Sequence, residues 1–368
     1  MKKQISTYIS VLAAVAMTAA CSGNIDTGGG EDTPGEVTLE LKTDRNYIKA
    51  DGNDAVTLTL YCNGSEVTES FDVYSGTSFV DLKAGNKFVT DKVGTYSLWA
   101  SYKASQSAAV TVNAIAIDVP ETPQDPNPSS YSFAKKVLVT DYTGTGCQYC
   151  PYMKQLIHSA MEDKAFAEKV SFVEIHTFNA NDPAYFAGPI DDFVNVSSYP
   201  TVFMDYAVMF DDYDNKNLFV STVNSRYGIP ASAGIAVNSK LIGNQVVLKA
   251  VVKAAESASY RIGAWILEDD IYGVQTGTSD KTLWTHNDCL RVADSRPEGS
   301  KTYIGYSLGN LDKGDFADHV FVMDLKTDWN IEKCHAIVFI STADSKGNYS
   351  VNNVVECGLD GIVPFQYK

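Results

Sequence analysis

Apolar residues recur at every second position through much of the first third of the chain. Val56, Leu58, Leu60 and Cys62 share one face of an extended segment, as do Tyr96, Leu98, Ala100 and Tyr102. Turn pairs at Asp51-Gly52, Asn63-Gly64 and Val93-Gly94 separate such segments, so residues 37–118 read as a small β-sandwich. From residue 135 the pattern changes. A buried-strand run, Val137 to Thr140, is followed by an apolar helical stretch, Pro151 to Ala160. A strand from Val170 to Ile175, another from Val202 to Met204 and a helical stretch from Leu218 to Tyr227 come next. This alternation predicts an α/β core over 135–229. Residues 230–368 return to β-pattern, with strands expected at Gln245–Lys253, Tyr260–Leu267, His319–Leu325 and His335–Ser341 and a second sandwich as their packing.

The punctuation between these blocks is Gly, Pro and acid. Met1-Lys2-Lys3 and a short apolar run ending in Thr18-Ala19-Ala20 form a signal peptide over 1–20, too short to span a bilayer. Cys21 then stands where a bacterial lipoprotein carries its lipids, a resemblance weakened only by Thr18 in place of a branched apolar residue. Ordinary cleavage with Cys21 incidental is the alternative. Residues 21–36 are a Gly-rich flexible tether and 119–134 a Pro-rich linker. The fold class is therefore multidomain: N-terminal sandwich, central α/β domain, C-terminal β-sandwich. Ala50-Asp51-Gly52 and Gly94-Thr95-Tyr96 resemble bacterial immunoglobulin-like domains, which commonly act as spacers or adhesins.

Composition narrows the partners. A formal charge of −16, lowered further when Lys2 and Lys3 leave with the signal, repels phosphate backbones, so nucleic acid is not expected. Seven cysteines in 368 residues are too few for a disulfide scaffold, and folding must rest on apolar cores. The expected location is the cell envelope, with a lipid holding the chain to a membrane.

The chemistry lies in Cys147-Gln148-Tyr149-Cys150. A strand ending near Asp141, this pair at a helix start, a second strand, then Tyr199-Pro200-Thr201 before a third strand together resemble thioredoxin. That resemblance implies thiol–disulfide exchange with exported proteins, without a cofactor. Cys147 attacks a partner disulfide, Cys150 resolves the mixed disulfide, and Asp141, its pKa raised by burial, takes a proton. It also implies a cis Pro200, with the Tyr199 backbone pairing a bound peptide as an added strand. Cys147 is expected to be the more exposed thiol. Gly146 stands where thioredoxin has tryptophan, and Pro151 moves the helix start toward Cys150, weakening the helix dipole at Cys147.

Plainer readings stand beside these. Cys147 and Cys150 make a structural disulfide, Asp141 a strand-end cap, Pro200 a trans strand starter. No metal is assigned. There is no second Cys-x-x-Cys, and His158 lies eleven residues past Cys147, roughly 16 Å down the helix. Asp211 to Asn215 read as an acidic helix start and His286-Asn287-Asp288 as a hydrogen-bonded turn.

Cys-x-x-Cys-Pro, Trp284 to Arg291, Trp329-Asn330 and Val354-Val355-Glu356 resemble the twenty-eight-kilodalton outer-membrane-protein-related lipoproteins of Bacteroides-like bacteria, over roughly residues 135–368. A surface binding or adhesion lipoprotein that keeps a thioredoxin fold without redox turnover is the second functional reading. A domain packed over Tyr199 and Cys147 would favour it, and an open groove would favour exchange. Last, folding two hairpin arms about Ser345 to Asn348 sets Cys334 and Cys357 opposite to within one residue, predicting a structural disulfide and leaving Cys62 and Cys289 as unpaired thiols.

Overall fold

The computed structural model describes residues 37–116, 118–297 and 299–368. Signal peptide, Cys21 and tether lie outside the described residues. The described residues divide into two compact units, one ending at Ala116 and the other running on to Lys368.

In the first unit the alternation becomes two sheets. One is built on Val56–Cys62, antiparallel to Leu39–Thr43. The other has Gly94–Tyr102 at its centre, between Val110–Ile115 and Asp72–Ser75. Val56, Leu58 and Leu60 from one sheet meet Leu98, Ala100 and Val112 from the other in a single core. Strict alternation is what a sheet with one wet face requires. Cys62 is buried in that core and, contrary to expectation, is not a free thiol.

In the second unit the sheet passes straight through the expected boundary at 229/230. Its strand order is Val208–Phe210, Thr201–Met204, Val137–Thr143, Val170–His176, Cys289–Asp294, Ala258–Glu268, Cys334–Ala343 and Tyr349–Gly358. Val137–Thr143 runs parallel to Val170–His176 and antiparallel to Thr201–Met204. The seam between the central and C-terminal segments is one parallel register, Glu174 beside Cys289. Helices Cys150–Met161 and Lys216–Tyr227 bury Met153, Ile157, Phe219 and Val223 against Val137, Val139, Val202 and Met204. Asn215 caps the second helix by accepting from the Leu218 N–H; the aspartates expected to form an acidic helix start lie before it, and the first turn holds no acidic residue. A four-stranded sheet led by the Ala233–Ile242 and Gln245–Ala254 hairpin packs against the C-terminal strands to make a sandwich core.

The Pro-rich stretch is not a free spacer. Pro120 and Pro123 are buried, and the Lys253 ammonium reaches the Asp125 carboxylate at 2.9 Å and the Pro128 carbonyl at 2.7 Å. Tyr131 and Tyr367 rings lie against the same ammonium, 5.0 and 5.6 Å from it.

The Cys334–Cys357 disulfide does not form. A bulge at Ile340/Ser341 shifts the register, so that Cys357 lies opposite Ala336 and Cys334 opposite Glu268 of the other neighbouring strand. Both are buried free thiols, and burial pushes them up to about 12 and about 11. Cys334 Sγ instead donates to the Asn330 carbonyl at 3.4 Å.

Candidate functional site

Cys147 and Cys150 are joined in a disulfide with Cα atoms 5.5 Å apart. The helix begins at Cys150, as Pro151 dictates, and no side chain caps it. Cys147 therefore precedes the helix, although the Cys150 N–H points at its Sγ at 3.1 Å. The expected difference in exposure is absent. Cys147 is 2% exposed and Cys150 1%.

What covers Cys147 comes from the C-terminal segment. The Gln275 side-chain amide donates to the Cys147 carbonyl at 3.0 Å and the Gly144 carbonyl at 3.2 Å. The Thr276 N–H donates to the Thr145 carbonyl at 2.8 Å. Gly277, at φ +87°, lies so close that a Cβ there would sit 2.2 Å from the Gln148 carbonyl oxygen. On the opposite flank, a Cβ on Gly146 would meet the Asn179 amide at 2.3 Å. Glycine stands in the tryptophan position because the neighbouring loop fills that space. Gln275 gave no signal in the sequence, because its role depends on a chain crossing far along the sequence.

Asp141 lies within the Val137–Thr143 strand, not at its end, with Glu174 beside it on the parallel neighbour. Both carboxylate oxygens are buried and have no hydrogen-bond partner among the described residues. Burial, then the charge of Glu174, raise its pKa to about 8; His176 and Lys154 offset this only in part.

The peptide bond before Pro200 is cis. The Tyr199 hydroxyl donates to Asp191 at 2.8 Å, and its ring meets the Phe178 ring edge-on at 5.3 Å. Burial lifts that hydroxyl to about 12.

A polar cluster unforeseen in the sequence lies under the same helix. Lys154, Glu174, His176, Asp182 and His286 are all buried. Lys154 Nζ is 3.1 Å from Glu174 Oε1, and His176 bridges Glu174 at 3.1 Å and Asp182 at 2.9 Å. Burial works against the charge on Glu174, but Lys154 and the two histidines hold it well below the usual carboxylate range. Burial likewise opposes a charged His176, yet Cys289, Asp182 and Glu174 hold it well above the usual histidine range. Since burial keeps the Cys289 thiol neutral at about 11, the two carboxylates carry that effect near pH 7. The detectable signal was Glu174 and His176 at alternate positions of an otherwise apolar strand, a pattern that places both on one face.

Residues 190–360 match the family described as Outer membrane protein Omp28. This part of the chain is similar to that outer-membrane family, and the match bears out the expected cell-envelope location. No curated protein matches the chain. Among solved structures it is similar to HBP35 of Porphyromonas gingivalis, with 17% identity over 63% of this chain and 78% of that one, and a TM-score of 0.52. This is a likeness of fold. A domain of the outer membrane lipoprotein Omp28 from Porphyromonas gingivalis aligns over 35% of this chain and 89% of that one, at 12% identity and a TM-score of 0.23.

Proposed function

We propose that the chain is an outer-membrane lipoprotein acting as a surface binding module. In this reading residues 37–118 are an immunoglobulin-like spacer and residues 135–229 a thioredoxin-like core whose disulfide is structural. One observation carries the reading: Cys147 is closed off by Gln275, Thr276 and Gly277 from the C-terminal segment. An attacking thiolate needs a line of approach to a partner disulfide, and this cover removes it. The match to an outer-membrane family over residues 190–360 supports the same reading. The test is trapping. Cys150→Ser, expressed in a bacterial envelope, should accumulate no mixed disulfides, and the purified chain should not reduce a model protein disulfide catalytically. Trapped exported proteins joined through Cys147 would overturn it.

Asp141 favours a second reading, thiol–disulfide exchange with Cys147 attacking, Cys150 resolving and the Tyr199–Pro200 segment receiving the partner peptide. A buried carboxyl with no hydrogen-bond partner among the described residues and a pKa raised to about 8 is poised to move a proton near neutrality. Exchange would then require the Gln275 loop to open.

A further inference from the structure

Four donor atoms from two distant parts of the chain converge where the central and C-terminal segments share their sheet. Glu174 and His176 lie two apart on one strand and so face the same side. Cys289 enters on the neighbouring strand in register with Glu174, and His286 arrives on the short Thr285–His286 strand. Glu174 Oε2 is 3.1 Å from His176 Nε2, 3.3 Å from His286 Nδ1 and 3.8 Å from Cys289 Sγ. Cys289 Sγ is 3.9 Å from His176 Nε2. Usual zinc bond lengths in a tetrahedron place N and O donors about 3.3 Å apart and S and N donors about 3.6 Å apart. The Glu174, His176 and His286 donor atoms all lie within 4.8 Å of one another, close to a ligand shell, and Cys289 Sγ stands slightly farther out than a bound thiolate would.

The histidines are also held as ligands are held. Each turns its other ring nitrogen to an acceptor, His176 Nδ1 to Asp182 at 2.9 Å and His286 Nε2 to the Gly273 carbonyl at 3.2 Å. With those nitrogens donating, the inward nitrogens are the ones available to a metal. We propose that Glu174, His176, His286 and Cys289 form a buried binding site for a zinc-class divalent cation, fastening the C-terminal segment to the central strands. The site is independent of whether Cys147 exchanges disulfides.

Lys154 competes for this site. Its Nζ is 3.0 Å from His286 Nδ1, 3.1 Å from Glu174 Oε1 and 3.0 Å from the Thr285 carbonyl. A bound cation takes the His286 lone pair and Lys154 keeps its two oxygens. The Cys289 thiol must give up its proton to serve as a ligand, so binding releases protons. His176, His286 and Cys289 are buried, so loading accompanies folding.

The test uses the full chain, stripped with chelator while the Cys147–Cys150 disulfide stays oxidised, and refolded with Co²⁺ alone. A single equivalent should bind, with the visible bands of tetrahedral cobalt and a thiolate-to-cobalt charge-transfer band, all bleached by Zn²⁺. Cys289→Ser should abolish the charge-transfer band while keeping the fold. Asp182→Asn should weaken binding by about 10–100-fold, the effect of losing a partner behind a ligand. Lys154→Met should tighten it by removing the competitor. A chain that refolds without taking up cobalt would overturn the proposal. So would a charge-transfer band surviving Cys289→Ser, which would put the metal on another thiol.

Discussion

The Gln275 side chain and the Cys147 backbone are joined by a 3.0 Å hydrogen bond across 128 residues of sequence. The amide also donates to Gly144, so one side chain holds both ends of the turn leading into the disulfide. Gln275→Ala should leave three carbonyls (Gly144, Thr145 and Cys147) with one partner fewer and loosen the cover. Losing buried hydrogen bonds of this kind costs about 1–3 kcal/mol. Dithiothreitol should reduce the Cys147–Cys150 disulfide faster in this variant, as followed by mass spectrometry. Gly277→Ala should do the same more strongly, since its Cβ cannot fit beside Gln148.

Asp141 should make the chain less stable as pH rises. Its folded pKa of about 8 stands above the ordinary carboxyl value of 3.8. Above pH 4 the unfolded chain ionises while the folded one keeps its proton, so stability falls from about pH 4 up to about pH 8, at roughly 1.4 kcal/mol per pH unit. Asp141→Asn should remove that slope and be the more stable protein at pH 7.5. Urea unfolding of both proteins at pH 5 and 7.5 measures it. Parallel pH dependences would mean that Asp141 is solvated in the folded state.

His319 has the opposite sign. Burial lowers it from 6.5 to about 3, so the folded chain holds it neutral while the unfolded chain protonates below pH 6.5. Stability should fall as pH drops from about 6.5 toward 3, with about 2 kcal/mol lost by pH 5. His319→Gln should flatten that limb of the urea-midpoint profile; an unchanged limb would assign the acid sensitivity elsewhere.

Anchoring is tested at Cys21. The full chain should fractionate with membranes, and Cys21→Ser should move it to the soluble fraction. Membrane retention of the variant equal to that of the parent would contradict lipid attachment at this residue.

Strands and helices were legible where one face is wet. Val56, Leu58, Leu60 and Cys62 alternate because water lies on the other side, and Pro151 marked the helix start to within one residue. Legibility failed where long-range pairing decides. The bulge at Ile340/Ser341 moved Cys357 opposite Ala336, and no local pattern announces a bulge. The merging of two expected domains into one sheet rests on the single Glu174–Cys289 register, contributed by strands far apart in sequence. The Cys147, Cys150 and Pro200 positions were visible as a motif. Their burial was not, because Gln275 and Gly277 come from a loop that carries no motif of its own.

Alkylation of Cys147 in the folded chain tests the account most directly. The full chain is reduced, freed of reductant, and treated with iodoacetamide with and without denaturant, and the labelled residues are located by peptide mapping. Cys147 in the folded chain should react at least about a hundredfold more slowly than in the unfolded chain, at a rate set by opening of the Gln275 loop. Folded-state labelling of Cys147 as fast as in denaturant, with Cys150 still protected, would contradict it and identify an exposed, attacking thiol.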